Sequence, residues 1–83
     1  MARLTGTVSR GSVPAEGAYV QLRNTGGDFQ AEVRTDEDGR FTLYPIPGTW
    51  RLVSFAPRTP WVERDVEVGG DDVEIDLTLE ATD

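Results

Sequence analysis

Residues 35–50 read TDEDGRFTLYPIPGTW. Three acidic residues and a glycine come first. Phe41 and Leu43 then alternate with Thr42 and Tyr44, and a Pro-Ile-Pro-Gly break precedes Trp50. A period of two marks a strand with one buried face, because successive side chains of an extended chain point to opposite sides. The acidic cluster admits two readings, a calcium loop or a turn. An EF-hand loop counted from Asp36 requires glycine at its sixth position and glutamate at its twelfth. Phe41 and Pro47 stand there instead. The turn reading asks for less: Asp36 caps its own backbone two residues on, and Gly39 supplies the positive φ that ends a four-residue hairpin loop. The stretch therefore predicts turn, strand, turn, strand, with no metal.

The same alternation recurs outward in both directions. Leu4, Gly6 and Val8 alternate with Thr5, Thr7 and Ser9; a loop with Pro14 and Gly17 follows. Ala18, Val20 and Leu22 share one face, opposite Tyr19, Gln21 and Arg23. After a glycine-rich turn, Phe29, Ala31 and Val33 are expected inward. Trp50 and Leu52 continue the inward series, but Val53 and Phe55 fall on the other side, so that strand is apolar on both faces. Val62, Val66 and Val68 mark a further strand with a bulge expected near residues 63–65. Val73, Ile75, Leu77 and Leu79 form the cleanest alternation. No stretch shows helical periodicity. Seven short strands at such spacing predict an all-β fold, a seven-stranded antiparallel sandwich in a single domain over residues 1–83. The expected core is Leu4, Val8, Val20, Leu22, Val33, Phe41, Leu43, Trp50, Leu52, Val66, Val68, Val73, Ile75, Leu77 and Leu79.

Composition narrows the chemistry. The 83 residues include neither cysteine nor histidine, which removes thiol nucleophiles, disulfides, zinc knuckles and the commonest general base. Ser9, Ser12 and Ser54 have only carboxylates or arginines as candidate bases. A carboxylate pair such as Glu32 with Asp36 is the remaining route to hydrolysis, set against the ordinary presence of acids on a solvated surface. Residues 1–60 carry seven Arg against six acidic residues, a net of +1; residues 61–83 carry one Arg against nine, a net of −8. An acidic surface repels nucleic acid and anionic membranes, so neither is an expected partner. With no apolar leader-like run near residue 1 and no stretch of about 18 apolar residues, a cytoplasmic protein is expected. Every basic residue is Arg, as in high-GC bacterial genomes.

These residues resemble a known family. Gly6 to Val8, Gly17 to Leu22, Thr35 to Phe41 and Pro47 to Leu52 match the G-x-V, G-A-x-V-x-L, T-D-x-x-G-x-F and P-G-x-Y-x-L runs of the carboxypeptidase regulatory-like domain, with Trp50 in place of the tyrosine. The resemblance implies a transthyretin-like (prealbumin-like) Greek-key sandwich. More narrowly, Asp28 to Val33 and Pro47 to Trp50 are similar to a small actinobacterial family of unknown function that includes proteins called SseC, often encoded near thiosulfate sulfurtransferases. The transthyretin-like fold includes a hydrolase of the urate pathway that relies on histidines, which this chain lacks.

The resemblance implies an accessory domain working by contact with another protein, a sulfurtransferase being one candidate; the residues themselves point to no catalytic, cofactor or metal site, and a homodimer is the other expected partnership because most soluble oligomers are homo-oligomers. Tyr19, Tyr44, Val53 and Phe55 are the expected contact residues, on the premise that Tyr44 and Val53 share one outer face across the Pro-Ile-Pro-Gly turn. The alternative is a carbohydrate-binding module that stacks sugars on Tyr19, Tyr44, Phe55 and Trp61.

Overall fold

The computed structural model describes residues 2–80. Eight strands follow one another: β1 (Leu4–Arg10), β2 (Val13–Pro14), β3 (Tyr19–Asn24), β4 (Phe29–Arg34), β5 (Arg40–Leu43), β6 (Gly48–Phe55), β7 (Val62–Val68) and β8 (Val73–Leu79). They make two four-stranded sheets. In the first, β1 is central, with β8 along one side and β5 and then β2 along the other. The second runs β4-β3-β6-β7. All pairings are antiparallel except β1 with β8, which is parallel from Leu4↔Val73 to Arg10↔Leu79.

The structure thus has one strand more than the alternation predicts, and its pairing is not wholly antiparallel. The extra strand, β2, is two residues long and ends in a proline, too short to show a period. The parallel pair is invisible to a pattern that reports faces and not directions.

The inward faces meet in one core of Leu4, Val8, Ala15, Ala18, Val20, Leu22, Phe41, Leu43, Leu52, Leu77 and Leu79. Val33, Trp50, Val66, Val73 and Ile75 pack around it, half-buried. Every residue of the expected core is therefore in or against the observed one, except Val68, which is buried at the end of β7 outside that cluster. β6 is doubly apolar because it is central in its sheet, between β3 and β7.

Three local expectations are corrected. Phe29 is not inward. Leu22 pairs with Ala31 but Arg23 pairs with Phe29, so Gln30 is an extra residue and the bulge turns Phe29 outward. The bulge expected in β7 does not exist: β6 and β7 stay in register from Gly48↔Val68 to Ser54↔Val62. The strand keeps its period with Arg64, exposed at the sheet edge, in the inward phase. Finally, residues 35–39 form a turn but not a hairpin, because β4 and β5 belong to different sheets.

That crossing is tightly bonded. Asp36 Oδ1 accepts from the amides of Asp38 and Arg40, both at 2.9 Å, as its turn chemistry predicts. Gly39 has φ 75°. Its carbonyl accepts from Val8 N at 2.7 Å, and a Cβ there would stand 2.4 Å from Val8 O. Buried Thr35 is bonded on every side. Its hydroxyl accepts from Ala18 N at 2.9 Å and donates to Ala15 O. Its amide donates to Ala18 O and its carbonyl accepts from Gly17 N. Substituting Thr35→Val keeps the shape and removes the hydroxyl, stranding a buried amide and a carbonyl. A loss of about 2–3 kcal/mol is expected in urea unfolding, with Thr35→Ser recovering most of it.

Gly6 imposes a second constraint. It faces Ile75 across the parallel pair, and a Cβ there would lie 1.8 Å from Ile75 O and 2.8 Å from Phe41 Cζ. Gly6→Ala should cost at least about 3 kcal/mol or prevent folding. Gly69→Ala, with nothing within 4 Å of its Cβ, should stay within about 0.5 kcal/mol in the same urea series.

Candidate functional site

The outer face of the second sheet gathers Tyr19, Phe29, Phe55 and Trp61. Across neighbouring strands, Arg34, Tyr19 and Phe55 are register partners, and Trp61 precedes β7 beside Phe55. The Arg34 guanidinium lies 5.1 Å from the Tyr19 ring centroid. Tyr19 and Phe55 have centroids 5.2 Å apart with planes 20° apart, and Phe55 and Trp61 are 4.9 Å and 16° apart. Rings this close and this parallel overlap face on face; side by side in one plane they would collide. They therefore stand upright on the sheet, spaced close to the strand repeat. The guanidinium closes the row at β4. Trp61 ends it at the β7 edge, 61% exposed.

Below this row Gln21, Val53 and Glu63 are cross-strand neighbours. Val53 points away from the inter-sheet core yet is only 1% exposed, being flanked by Gln21 and Glu63 across the strands and by Arg51 and Phe55 along its own. Gln21 donates to Glu32 Oε2 at 2.8 Å and accepts from Arg23 at 2.8 and 3.0 Å. The Arg23 guanidinium lies 5.8 Å from the Phe29 ring centroid. Arg51 Nε donates to Asp65 Oδ1 at 3.1 Å. That hydrogen bond and the Asp65 charge, with a smaller contribution from Glu63, raise the Arg51 pKa above its already high ordinary value. Whatever stability this adds is complete below the ordinary arginine range and lost only above it, so it brings no pH dependence near neutrality.

Of the expected contact residues, Tyr19, Val53 and Phe55 share this face, with Val53 as its buried floor. Tyr44 does not join them: it follows β5 in the first sheet and is 62% exposed. Tyr44 and Val53 are separated because the Pro-Ile-Pro-Gly break carries the chain from one sheet to the other. Arg34 and Trp61 complete the row. For Arg34 the available signal was its outward phase opposite Tyr19.

The other candidates occupy structural positions. Ser54 is buried and donates to Tyr19 O at 3.0 Å. Ser9 lies beside Thr78. Glu32 lies on the sheet face and Asp36 caps the crossing, so they serve separate places. Among the described residues no group of three or more metal-ligating side chains is gathered, and no helix is long and apolar enough to cross a membrane. The outer face of the first sheet is a shallow polar groove lined by Thr5, Thr7, Arg40, Thr42, Glu74 and Asp76.

This architecture is shared with solved proteins of varied activity. Hydroxyquinol 1,2-dioxygenase from Pseudomonas putida DLL-E4 superposes with a TM-score of 0.75 at 15% identity, over 98% of this chain and 56% of that one. 3-Chlorocatechol 1,2-dioxygenase from Rhodococcus opacus 1CP gives 0.72 at 13%, over 98% and 59%. The 5-hydroxyisourate hydrolase of Klebsiella pneumoniae gives 0.68 at 21%, over 93% and 90%. The chain spans a little over half the length of the dioxygenases, and at these identities the likeness is one of fold. No curated protein matches. The fold is therefore a transthyretin-like β-sandwich. Residues 1–79 match the family described as "Protein of unknown function (DUF1416)", and the chain belongs to that family.

The aromatic row makes an energetic prediction. Phe55→Ala removes the middle ring and opens the cover over Val53, and should cost about 3 kcal/mol. Tyr44→Ala should stay within about 0.5 kcal/mol. Chemical unfolding of both variants measures the contrast.

Proposed function

We propose that this chain is a non-catalytic protein-binding module, that its contact surface is the outer face of the second sheet, and that a second copy of the chain is its first occupant. The observation that supports this is Trp61, held by its stack on Phe55 at 4.9 Å and still 61% exposed. A rigid aromatic with an open side is the type of anchor that protein contacts favour. A flat sugar platform fits less well, because a sugar stacks on ring faces and the faces of Tyr19 and Phe55 are occupied by their neighbours. Within the stacked row Trp61 alone offers one, and Phe29, outward on the same sheet, has the Arg23 guanidinium against it.

Symmetry makes a second copy the simplest occupant. Glu63, Asp65 and Glu67 lie on β7 at one side of the face; Glu32 and Arg34 lie on β4 at the other, with Arg23 on β3 between. A second copy turned about an axis parallel to the strands sets β7 of each over β4 of its mate and brings Arg34 toward the acidic row and the mate's Trp61. Four strands of six to eight residues offer roughly 400 Å² of flat area at the usual strand spacings, which is small for a stable complex and fits a weak dimer. The absence of histidine and cysteine from the chain supports the non-catalytic reading. The family resemblance nominates a sulfurtransferase as the heterologous partner to try.

Light scattering after size exclusion should show a mass rising from 9.1 kDa toward twice that value at high protein concentration. Trp61→Ala should hold the chain at monomer mass while staying folded, with a stability loss of no more than about 1.5 kcal/mol from the missing stack. A monomer at every concentration sinks the self-association. A sulfurtransferase captured by the wild type and lost with Trp61→Ala would place that enzyme on the same face.

A further inference from the structure

A sandwich has edges, and each presents backbone groups to whatever strand can pair with them. Three of the four edges described here carry a device that discourages pairing. β4 is interrupted by the extra residue Gln30. The edge shared by β5 and β2 is split into pieces of four and two residues, the second ending in Pro14. β7 is preceded by Pro60 and carries Arg64 in its inward phase, an edge charge that an added strand would have to cover.

The fourth edge lacks such a device. β8 runs seven residues without proline, glycine or bulge, and among the described residues pairs only with β1. Its inward phase is wholly apolar: Val73, Ile75, Leu77 and Leu79. Leu77 and Leu79 are buried, while Val73 and Ile75 are half-buried, as are Val62 and Val66 of β7, the edge strand on the same side of the other sheet. The seam between the two edges is thus largely apolar and incompletely covered, with Arg64 at its β7 rim. A strand laid along β8 would satisfy the edge and bring its own inward side chains onto this seam.

The outward phase selects the occupant. Glu74, Asp76 and, just past the strand, Glu80 are exposed, and the Asp71–Asp72 turn leads into it. A second copy of β8 would set these carboxylates against their own kind, which destabilises cross-strand pairs. A strand with lysine or arginine at alternate positions meets opposite charge instead. We infer that β8 is an acceptor edge for an extended segment of a different protein, in which apolar residues alternate with basic ones. This surface is separate from the aromatic face and stands or falls independently of it.

The probe is a seven-residue peptide of alternating Lys and Val with blocked ends. Two controls accompany it: the Glu/Val counterpart, and the Lys/Val peptide with a central proline. Amide exchange followed by NMR should show slowing confined mainly to residues 73–79 with Lys/Val. Its affinity should exceed that of either control by roughly tenfold, a difference of the size of one good interfacial contact. The double variant Glu74→Lys, Glu80→Lys changes only exposed positions and should reverse the preference toward Glu/Val. Ile75→Lys, checked for folding by its spectrum, places a charge in the inward phase and should abolish binding. Equal binding of the proline control shows attraction without strand pairing and overturns the inference. So does slowing that spares β8, or an unchanged preference in the double variant.

Discussion

Thr35 stands where the chain leaves one sheet for the other, and its backbone and side chain are bonded together to the opposite crossing. Residues 15–18 carry the chain from β2 to β3, and residues 35–39 carry it back from β4 to β5. The Thr35 hydroxyl, amide and carbonyl bind the first of these segments to the second. A buried crossing with unpaired backbone groups would cost several hydrogen bonds' worth of desolvation. Tying two crossings to each other satisfies both. Gly39 then lies against the backbone of Val8, which sets the height at which β5 meets β1. The close contact of Gly6 with Ile75 is possible because that height is fixed and Phe41 comes down over a residue with no side chain. The two sheets are held in relation by these small residues as much as by the leucines between them.

Much of this was legible in the sequence, for reasons particular to each residue. The period of two placed Leu4, Val20, Leu52 and Leu77 in the core because a half-buried strand leaves no other arrangement for them. Asp36 and Gly39 announced their turn because their conformations are local. What the pattern did not carry was partnership. A turn built from the same residues serves a hairpin or a crossing equally well, so Tyr44 was expected beside Val53 although the two lie on different sheets. Phe29 escaped because a bulge depends on the strand next door. Arg64 looked like a fault in β7 because its side chain breaks the apolar rhythm; at an edge, its head reaches water from an inward position.

The aromatic residues show how composition and role part company. Counted in the sequence, they look like a surface for ligands. In the structure Phe55 is partly consumed in flanking Val53, Tyr19 stacks on Phe55, and Arg34 closes the end of their row. A face built this way is stiff, because each ring is held by the next, and stiffness lowers the entropy lost when a partner arrives. The same arrangement limits what the face can recognise, since contact must be made with ring edges, the rim of charged side chains and the one open indole.

The uneven distribution of charge has its own consequence. With a net of −8 in the last 23 residues and +1 in the first 60, and with β7 and β8 on the same lateral side, the molecule is an electric dipole as well as an acidic protein. In the field of a cationic surface it turns before it touches, presenting that side first. Orientation in solution is then selected by long-range torque, at a distance where no side chain of either body has yet met another, and the torque fades as dissolved ions shorten its reach.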